Sequence, residues 1–151
     1  MLLLAAAALS AASGGEPALA GDLVVKQSRH SVKETIDALA ALLEKKGIAV
    51  AARVDHAAGA RAAGLALPPT ELLIFGNPKL GTPLMQANPE MGIDLPMKVL
   101  AWQDAAGNVK VAYTRPAALA GRHGVDGQDA VLQQMEKALS TLTDAAAGLT
   151  P

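Results

Sequence analysis

The chain has 151 residues, 51% of them hydrophobic and 18% charged, which is enough for one domain with its own core but not for two. A formal net charge of -1 and an aromatic content of 2% argue against nucleic-acid binding, which depends on basic surfaces and on rings that stack against bases. The absence of cysteine excludes disulfides, thiol catalysis and Cys-ligated metals.

The first twenty residues have the pattern of a signal peptide. An apolar run from Leu2 to Ala12 is shorter than the roughly 20 residues of a membrane-spanning helix, and Ala18-Leu19-Ala20 is a small-x-small cleavage pattern. The usual basic residues before the run are missing, so a lipid-inserted anchor or an Ala-rich tail remains the alternative. We predict a mature protein that begins near Gly21, is periplasmic or secreted, and leaves the membrane when the signal is removed.

A strand, "DLVVKQS", and then a helix open the mature chain. Ser31 and Glu34 form a capping box, which satisfies free N–H groups at a helix start. Gly47 is typical of the position just after a helix end. Between them the apolar residues follow at helical spacing and predict one buried stripe, made of Val32, Ile36, Leu39 and Leu43.

Four strands and a second helix follow. The alternation of Ile48, Val50, Ala52 and Val54 predicts a half-buried second strand, and "TELLIF" predicts a third, after a connector rich in Gly and Pro. The segments "LPMKVLAW" and "NVKVAYT" predict a hairpin. The last helix carries the stripe Leu132, Met135, Leu139 and Leu142.

This order of elements predicts an α+β domain over residues 21–151, with its core in 23–142. Strand, helix, four strands and helix fit one mostly antiparallel sheet with both helices on one face. The opposite face is then open or covered by a partner. We therefore expect a homodimer.

The segment from Gly76 to Pro83 combines turn residues with a helix-start pattern. Thr82-Pro83 is typical of an N-cap followed by proline at the first helical position. Because a helix N-terminus presents N–H groups and partial positive charge, we predict a small anionic ligand, a carboxylate, sulfate or phosphate, at the Gly76–Thr82 loop. Asn77 and Lys79 are its further candidate ligands. The alternative is an ordinary turn with a solvated lysine.

Two other interpretations compete with a binding role. Met85, Met91 and Met97 carry thioether sulfurs, which are soft ligands suited to Cu(I), although such residues more often fill irregular gaps in a core. His56 follows Asp55 at a strand end and, if the fold brings it to the Gly76 loop, serves with a carboxylate as the acid or base of a hydrolase.

A binding role requires fewer special residues than catalysis or metal binding, so we predict neither enzymatic activity nor a resident cofactor or metal.

The central segment contains a series of features in a fixed order. They are Phe75-Gly76-Asn77-Pro78, Gly81-Thr82, Leu84-Met85, Leu95-Pro96, Trp102, Gly107, Tyr113 and Arg122. In these features the chain resembles the domain of unknown function 302 family (DUF302). The resemblance spans roughly Leu23 to Leu142 and implies a TATA-binding-protein-like α+β fold and a homodimer, but no activity, because none is established for the family. Fold likeness to a DNA-binding protein does not imply DNA binding.

Residues that match this family pattern are candidates for one shared cleft. They are His56, Asn77, Pro78, Lys79, Asp94 and Tyr113, and Thr82 joins them from the predicted anion loop.

Overall fold

A computed structural model describes residues 21–150 and contains one five-stranded antiparallel sheet. The predicted signal peptide, residues 1–20, lies outside the described residues. The strands follow the order β1-β5-β4-β3-β2 across the sheet, so β1 and β2 form its edges. Their bounds are β1 (Leu23–Ser28), β2 (Ala49–Asp55), β3 (Thr70–Gly76), β4 (Met97–Gln103) and β5 (Val109–Thr114).

Two long helices cover one face of the sheet and pack against each other. They are α1 (Val32–Lys45) and α5 (Asp129–Ala146). The predicted capping box of α1 is present, since the Ser31 side chain accepts from the Glu34 N–H and the Glu34 carboxylate accepts from the Ser31 N–H. Both predicted apolar stripes are buried against the sheet. The α+β fold class is therefore confirmed.

Shorter helices fill the connections between strands. They are α2 (His56–Ala62), α3 (Pro78–Ala87), a 3-10 turn (Pro89–Ile93) and α4 (Pro116–Arg122). The predicted helix start at Thr82 is wrong, because α3 already begins at Pro78. Asn77 is its N-cap, and its side chain accepts from the Lys79 N–H at 3.0 Å. Asn77-Pro78 offers the same cap-and-proline signal as Thr82-Pro83 but stands directly after β3, so the helix starts there.

The edge strand β2 departs from the predicted alternation. A bulge between Val50 and Ala52 changes the register, so that Val50 pairs with Phe75 whereas Ala52 and Val54 pair with Ile74 and Leu72. A bulge adds one residue and turns the following side chains to the other face. The prediction that these residues share one half-buried face is therefore wrong, and every residue of β2 is exposed.

The face of the sheet opposite α1 and α5 carries an apolar row that crosses all the strands. Its members pair in register from one edge to the other, and the two at the edges, Val25 and Val54, are 50% and 37% exposed. The row consists of Val54, Leu72, Leu100, Ala112 and Val25.

Candidate functional site

A cavity of about 480 Å³ lies between the end of β3, α3 and α5. Its floor is made of four buried apolar side chains, Phe75, Met97, Met135 and Leu142. Its rim is exposed and includes the start of α3 and the edge strand β2. The rim residues are Ala49, Ala51, Asn77, Pro78, Thr82 and Pro96. This volume falls within the usual range of small-molecule sites.

Small residues at the cavity explain why it stays open on one side and tightly packed on another. Ala138 faces it from α5, between the larger stripe residues Met135 and Leu142. Gly76 meets the opposite wall so closely that a Cβ atom there would lie 3.1 Å from Pro96 Cβ. Interiors pack to high density, so the short side chain of Ala138 between two long ones leaves space that neighbours cannot fill without moving.

The chemistry of the lining is mostly apolar. In the part of the chain that the structure describes, no ionisable side chain lines the cavity, and the polar side chains of the lining are Asn77 and Thr82. The Asn77 Oδ1 atom is engaged as the helix cap, so its NH₂ group is what that side chain offers to a ligand. Thr82 is exposed and adds a hydroxyl that can donate or accept.

The start of α3 offers little to an anion through its backbone. Pro78 has no N–H, the Lys79 N–H donates to the Asn77 side chain, and the Leu80 and Gly81 N–H groups donate to the Asn77 carbonyl at 2.9 and 3.0 Å. An anion near this segment would therefore be recognised by side chains. Lys79 directly follows the rim residue Pro78, and its side chain is exposed.

His56 lies at the opposite end of the sheet from this cavity. In the β2–β3 ladder Asp55 pairs with Glu71, whereas Ala49 pairs with Gly76. The two ends are therefore five residues apart along β3, roughly 17 Å at about 3.3 Å per residue. The expectation that His56 meets the Gly76 segment is wrong, and Asp55 is engaged instead as the N-cap of α2, accepting from the Ala58 N–H.

Asp94 belongs to a polar cluster behind one cavity wall. Its carboxylate contacts His123 Nε2 at 2.6 Å and Arg122 Nη1 at 3.1 Å, while its backbone carbonyl accepts from Lys98 Nζ at 2.9 Å. The next residues, Leu95 and Pro96, line the cavity. Burial by itself raises the pKa of Asp94, but the hydrogen bond with His123 and the nearby charges outweigh it and lower that pKa.

Tyr113 sits on the helix-covered face, outside the cavity lining. Its hydroxyl donates to Glu136 on α5 at 2.8 Å. Burial raises the pKa of Tyr113, and the neighbouring Glu136 carboxylate raises it further. The candidates of the sequence analysis thus separate: Asn77, Pro78 and Thr82 reach the cavity, Lys79 and Asp94 stand beside it, and His56 and Tyr113 lie elsewhere.

The methionines gather at the cavity in a different set from the predicted one. Met85 and Met97 line it, but Met91 is fully buried outside the lining, and Met135 takes the third place. Histidine is absent from the cavity lining in the described part of the chain. Residues 21–150 also contain no group of three His, Cys, Asp or Glu side chains that could hold a metal ion. The predicted copper set is therefore not assembled at this cavity.

The fold defines a small α+β domain with one antiparallel sheet and a cavity under its last helix. The DUF302 family model, described as a domain of unknown function, matches residues 24–142. The chain therefore belongs to the DUF302 family, as the resemblance implied. A crystal structure of an uncharacterized conserved DUF302 protein from Bacillus stearothermophilus superposes with a TM-score of 0.74, at 22% identity, over 83% of this chain and 98% of that one.

Two curated relatives are named as ion channels. The chain is 50% identical over 127 residues to fluoride-specific ion channel FluC 1 of Brucella suis biovar 1 (83% of this chain, 50% of the relative). It is equally similar to FluC 1 of Brucella abortus biovar 1, of which the match covers 47%. The chain thus spans about half the length of the curated relatives it matches. Within residues 21–150, none of the helices has the length and apolar character needed to cross a membrane.

Proposed function

We propose that this protein is a small extracytoplasmic binding domain that holds a small organic acid at the Gly76–Thr82 segment and acts as a homodimer. One observation carries the binding role: a cavity of about 480 Å³ with an apolar floor and a polar rim. Concave, mostly apolar sites with a few polar groups are where proteins commonly bind small molecules. The signal-peptide pattern of residues 1–20 supports the location.

Recognition of the acid group is assigned to side chains at the rim and directly beside it. The N–H groups at the start of α3 already have acceptors, so a carboxylate there would interact with the Asn77 NH₂ group and the Lys79 ammonium. Both residues are exposed, so the charge of the ligand stays hydrated and the gain per contact is modest, below about 1 kcal/mol for such pairs.

The test is a titration of the protein with short carboxylates, comparing Lys79→Ala with Lys45→Ala. Both lysines are exposed, but Lys45 lies in the last turn of α1 and serves as the matched charge control. We expect Lys79→Ala to weaken binding about three- to fivefold with little change in melting temperature, since a screened pair contributes under about 1 kcal/mol. Equal affinity of the two variants would contradict acid recognition at this rim.

The homodimer is supported by the apolar row on the open sheet face. A row that crosses every strand and is exposed at both edges has the character of a surface that a second sheet covers. Val25→Lys should convert a dimer to monomer in native mass spectrometry. Lys33→Glu, on the solvent side of α1, should leave the mass unchanged. A monomeric parent protein would overturn this part of the proposal.

The curated relatives favour a second candidate, in which the domain works with a fluoride channel. About half the length of two proteins named fluoride-specific ion channels resembles this chain at 50% identity. A domain that shares one chain with a channel is expected to serve that channel. The test is the fluoride tolerance of cells that lack this chain. Tolerance that is unchanged by the loss and by re-expression would contradict this role.

A further inference from the structure

We infer that the ligand is amphipathic: an alkyl or aromatic body occupies the cavity floor, and a single acid group stays at the rim. This rests on the proposed binding function and names the class of ligand. Acetate, sulfate or phosphate alone would leave the cavity unused.

The burial of the lining residues sets this orientation. Phe75, Met97, Met135 and Leu142 are between 3% and 6% exposed, whereas Asn77 and Thr82 are exposed. An unpaired charge placed on the apolar floor would lose its hydration without gaining a partner, which is strongly unfavourable unless the group becomes neutral. The charged end of a ligand therefore stays outside, and its uncharged carbon atoms enter.

Methionine side chains determine which kinds of apolar ligand group can pack in the cavity. Met85, Met97 and Met135 surround the cavity from α3, β4 and α5. Methionine is unbranched and polarizable, so it adapts to alkyl chains and also makes favourable contacts with aromatic rings. Phe75 adds an aromatic surface to the same floor. Alkyl and aryl bodies share this chemistry, and the experiment separates them.

Met85 contacts the 3-10 turn at the edge of the cavity. A Cβ atom on Gly92 would lie 3.4 Å from the Met85 sulfur, which is ordinary van der Waals contact. Met85 is half-buried rather than enclosed, so its methyl group can follow the shape of a ligand.

Methyl NMR of methionine tests this assignment on the full chain. With ¹³C-labelled methionine methyl groups, octanoate and 3-phenylpropanoate are titrated separately, and acetate and phosphate serve as controls. We expect saturable shifts of the Met85, Met97 and Met135 methyl signals with at least one long acid. The Met91 signal should stay in place, because this residue is fully buried outside the lining. A response to octanoate alone identifies an alkyl body, and a response to 3-phenylpropanoate alone identifies an aromatic one.

A variant whose cavity is filled by a larger side chain provides a second test, read out as the affinity for the long acids. Ala138→Phe extends a ring from α5 into the cavity and should weaken the long acids at least about tenfold. Ala130→Phe, on an exposed position of the same helix, is the matched control and should bind like the parent. If Ala138→Phe does not fold, Thr82→Phe narrows the cavity from its exposed rim instead, with the same expected loss.

The outcomes separate this inference from the proposed function. If acetate or phosphate perturbs the Asn77 and Lys79 amide signals while every methionine methyl stays unchanged with the long acids, the binding function stands and the amphipathic ligand is wrong. If neither group of signals responds to any of the acids, both are wrong. Equal binding by the Ala138→Phe variant and its control would also overturn the placement of the ligand body.

Discussion

The helix α5 meets the sheet in two different ways along its two sides. Toward β1 and β5 the contact is polar and closed: Lys26 Nζ lies 2.9 Å from the Ser140 carbonyl, 3.0 Å from Thr143 Oγ1 and 2.7 Å from Asp144 Oδ1. Toward β2, β3 and β4 the same helix presents Met135, Ala138 and Leu142 and leaves a cavity.

The difference teaches how a small apolar domain keeps a cavity open. Apolar contacts are not directional, so a helix held by them alone can shift to fill a neighbouring void. Hydrogen bonds and ion pairs fix distance and angle. We infer that the Lys26 cluster, together with the Tyr113–Glu136 hydrogen bond, sets the position of α5, and that the short side chain of Ala138 then leaves space on the other side.

The largest expected effect comes from breaking the closed side with Lys26→Met. The thioether chain keeps the apolar stem, but Asp144 and Thr143 lose their shared donor in a half-buried setting. We expect the free energy of unfolding in urea to fall by about 2–3 kcal/mol. Because α5 would also lose its fixed position, binding at the cavity should weaken.

Lys33→Met is the control for that variant. Lys33 is 75% exposed and pairs with Asp37 one helical turn away, so its loss should cost under about 0.5 kcal/mol. Equal losses for the two lysines would show that the closed side has no special part in holding α5.

A smaller effect is expected from crowding the open side with Gly76→Ala. The added Cβ would stand 3.1 Å from Pro96 Cβ, so the cavity wall must move, at a cost of about 1–2 kcal/mol in unfolding free energy. Gly59→Ala is the matched substitution, in α2 with open space around the new methyl group, and should stabilise by up to about 1 kcal/mol. A neutral Gly76→Ala would mean that the wall yields freely.

The sequence was sufficient for features that depend on neighbouring residues. The capping box of α1 and the stripes of α1 and α5 are local patterns, and the structure has them where they were predicted. The bulge in β2 was hidden, because alternation looks the same until an extra residue interrupts the pairing with β3. The start of α3 was misplaced because two cap-and-proline pairs stand five residues apart.

The cavity was harder to predict than the fold. The predicted residues Asn77 and Thr82 do line the cavity. Its shape, however, depends on alanines and glycines from separate elements, which leave space because they have no larger side chain. The contact between Asp94 and His123 was also missed, because His123 lies 29 residues after Asp94, at the end of α4. A pattern in the sequence could only have shown that His123 follows α4, at the point where last-turn basic groups commonly gather.

The smallest expected effect, a pH dependence, tests whether polar contacts fix the open side as well. Asp94 ties the wall residues Leu95 and Pro96 to the end of α4 through His123. Burial raises the pKa of Asp94, but its contacts with His123 and Arg122 lower it below the ordinary value. A carboxyl group with a lowered folded-state pKa stabilises the fold above its ordinary pKa, and this contribution is lost as the pH falls through the folded-state pKa.

Asp94→Asn should therefore be less stable than the parent at pH 7, by under about 1 kcal/mol for a partly solvated pair. The gap should begin to close as the pH falls below about 4, where the aspartate of the unfolded chain becomes protonated, and should narrow further toward the lowered folded-state pKa. Urea unfolding from pH 7 to pH 3 measures it, with Asp126→Asn as the control that removes an exposed carboxylate of equal charge. A gap that stays constant with pH would mean that the charge of the Asp94 carboxylate does not stabilise this wall, and that only the β1–β5 side of the molecule is fixed by charge.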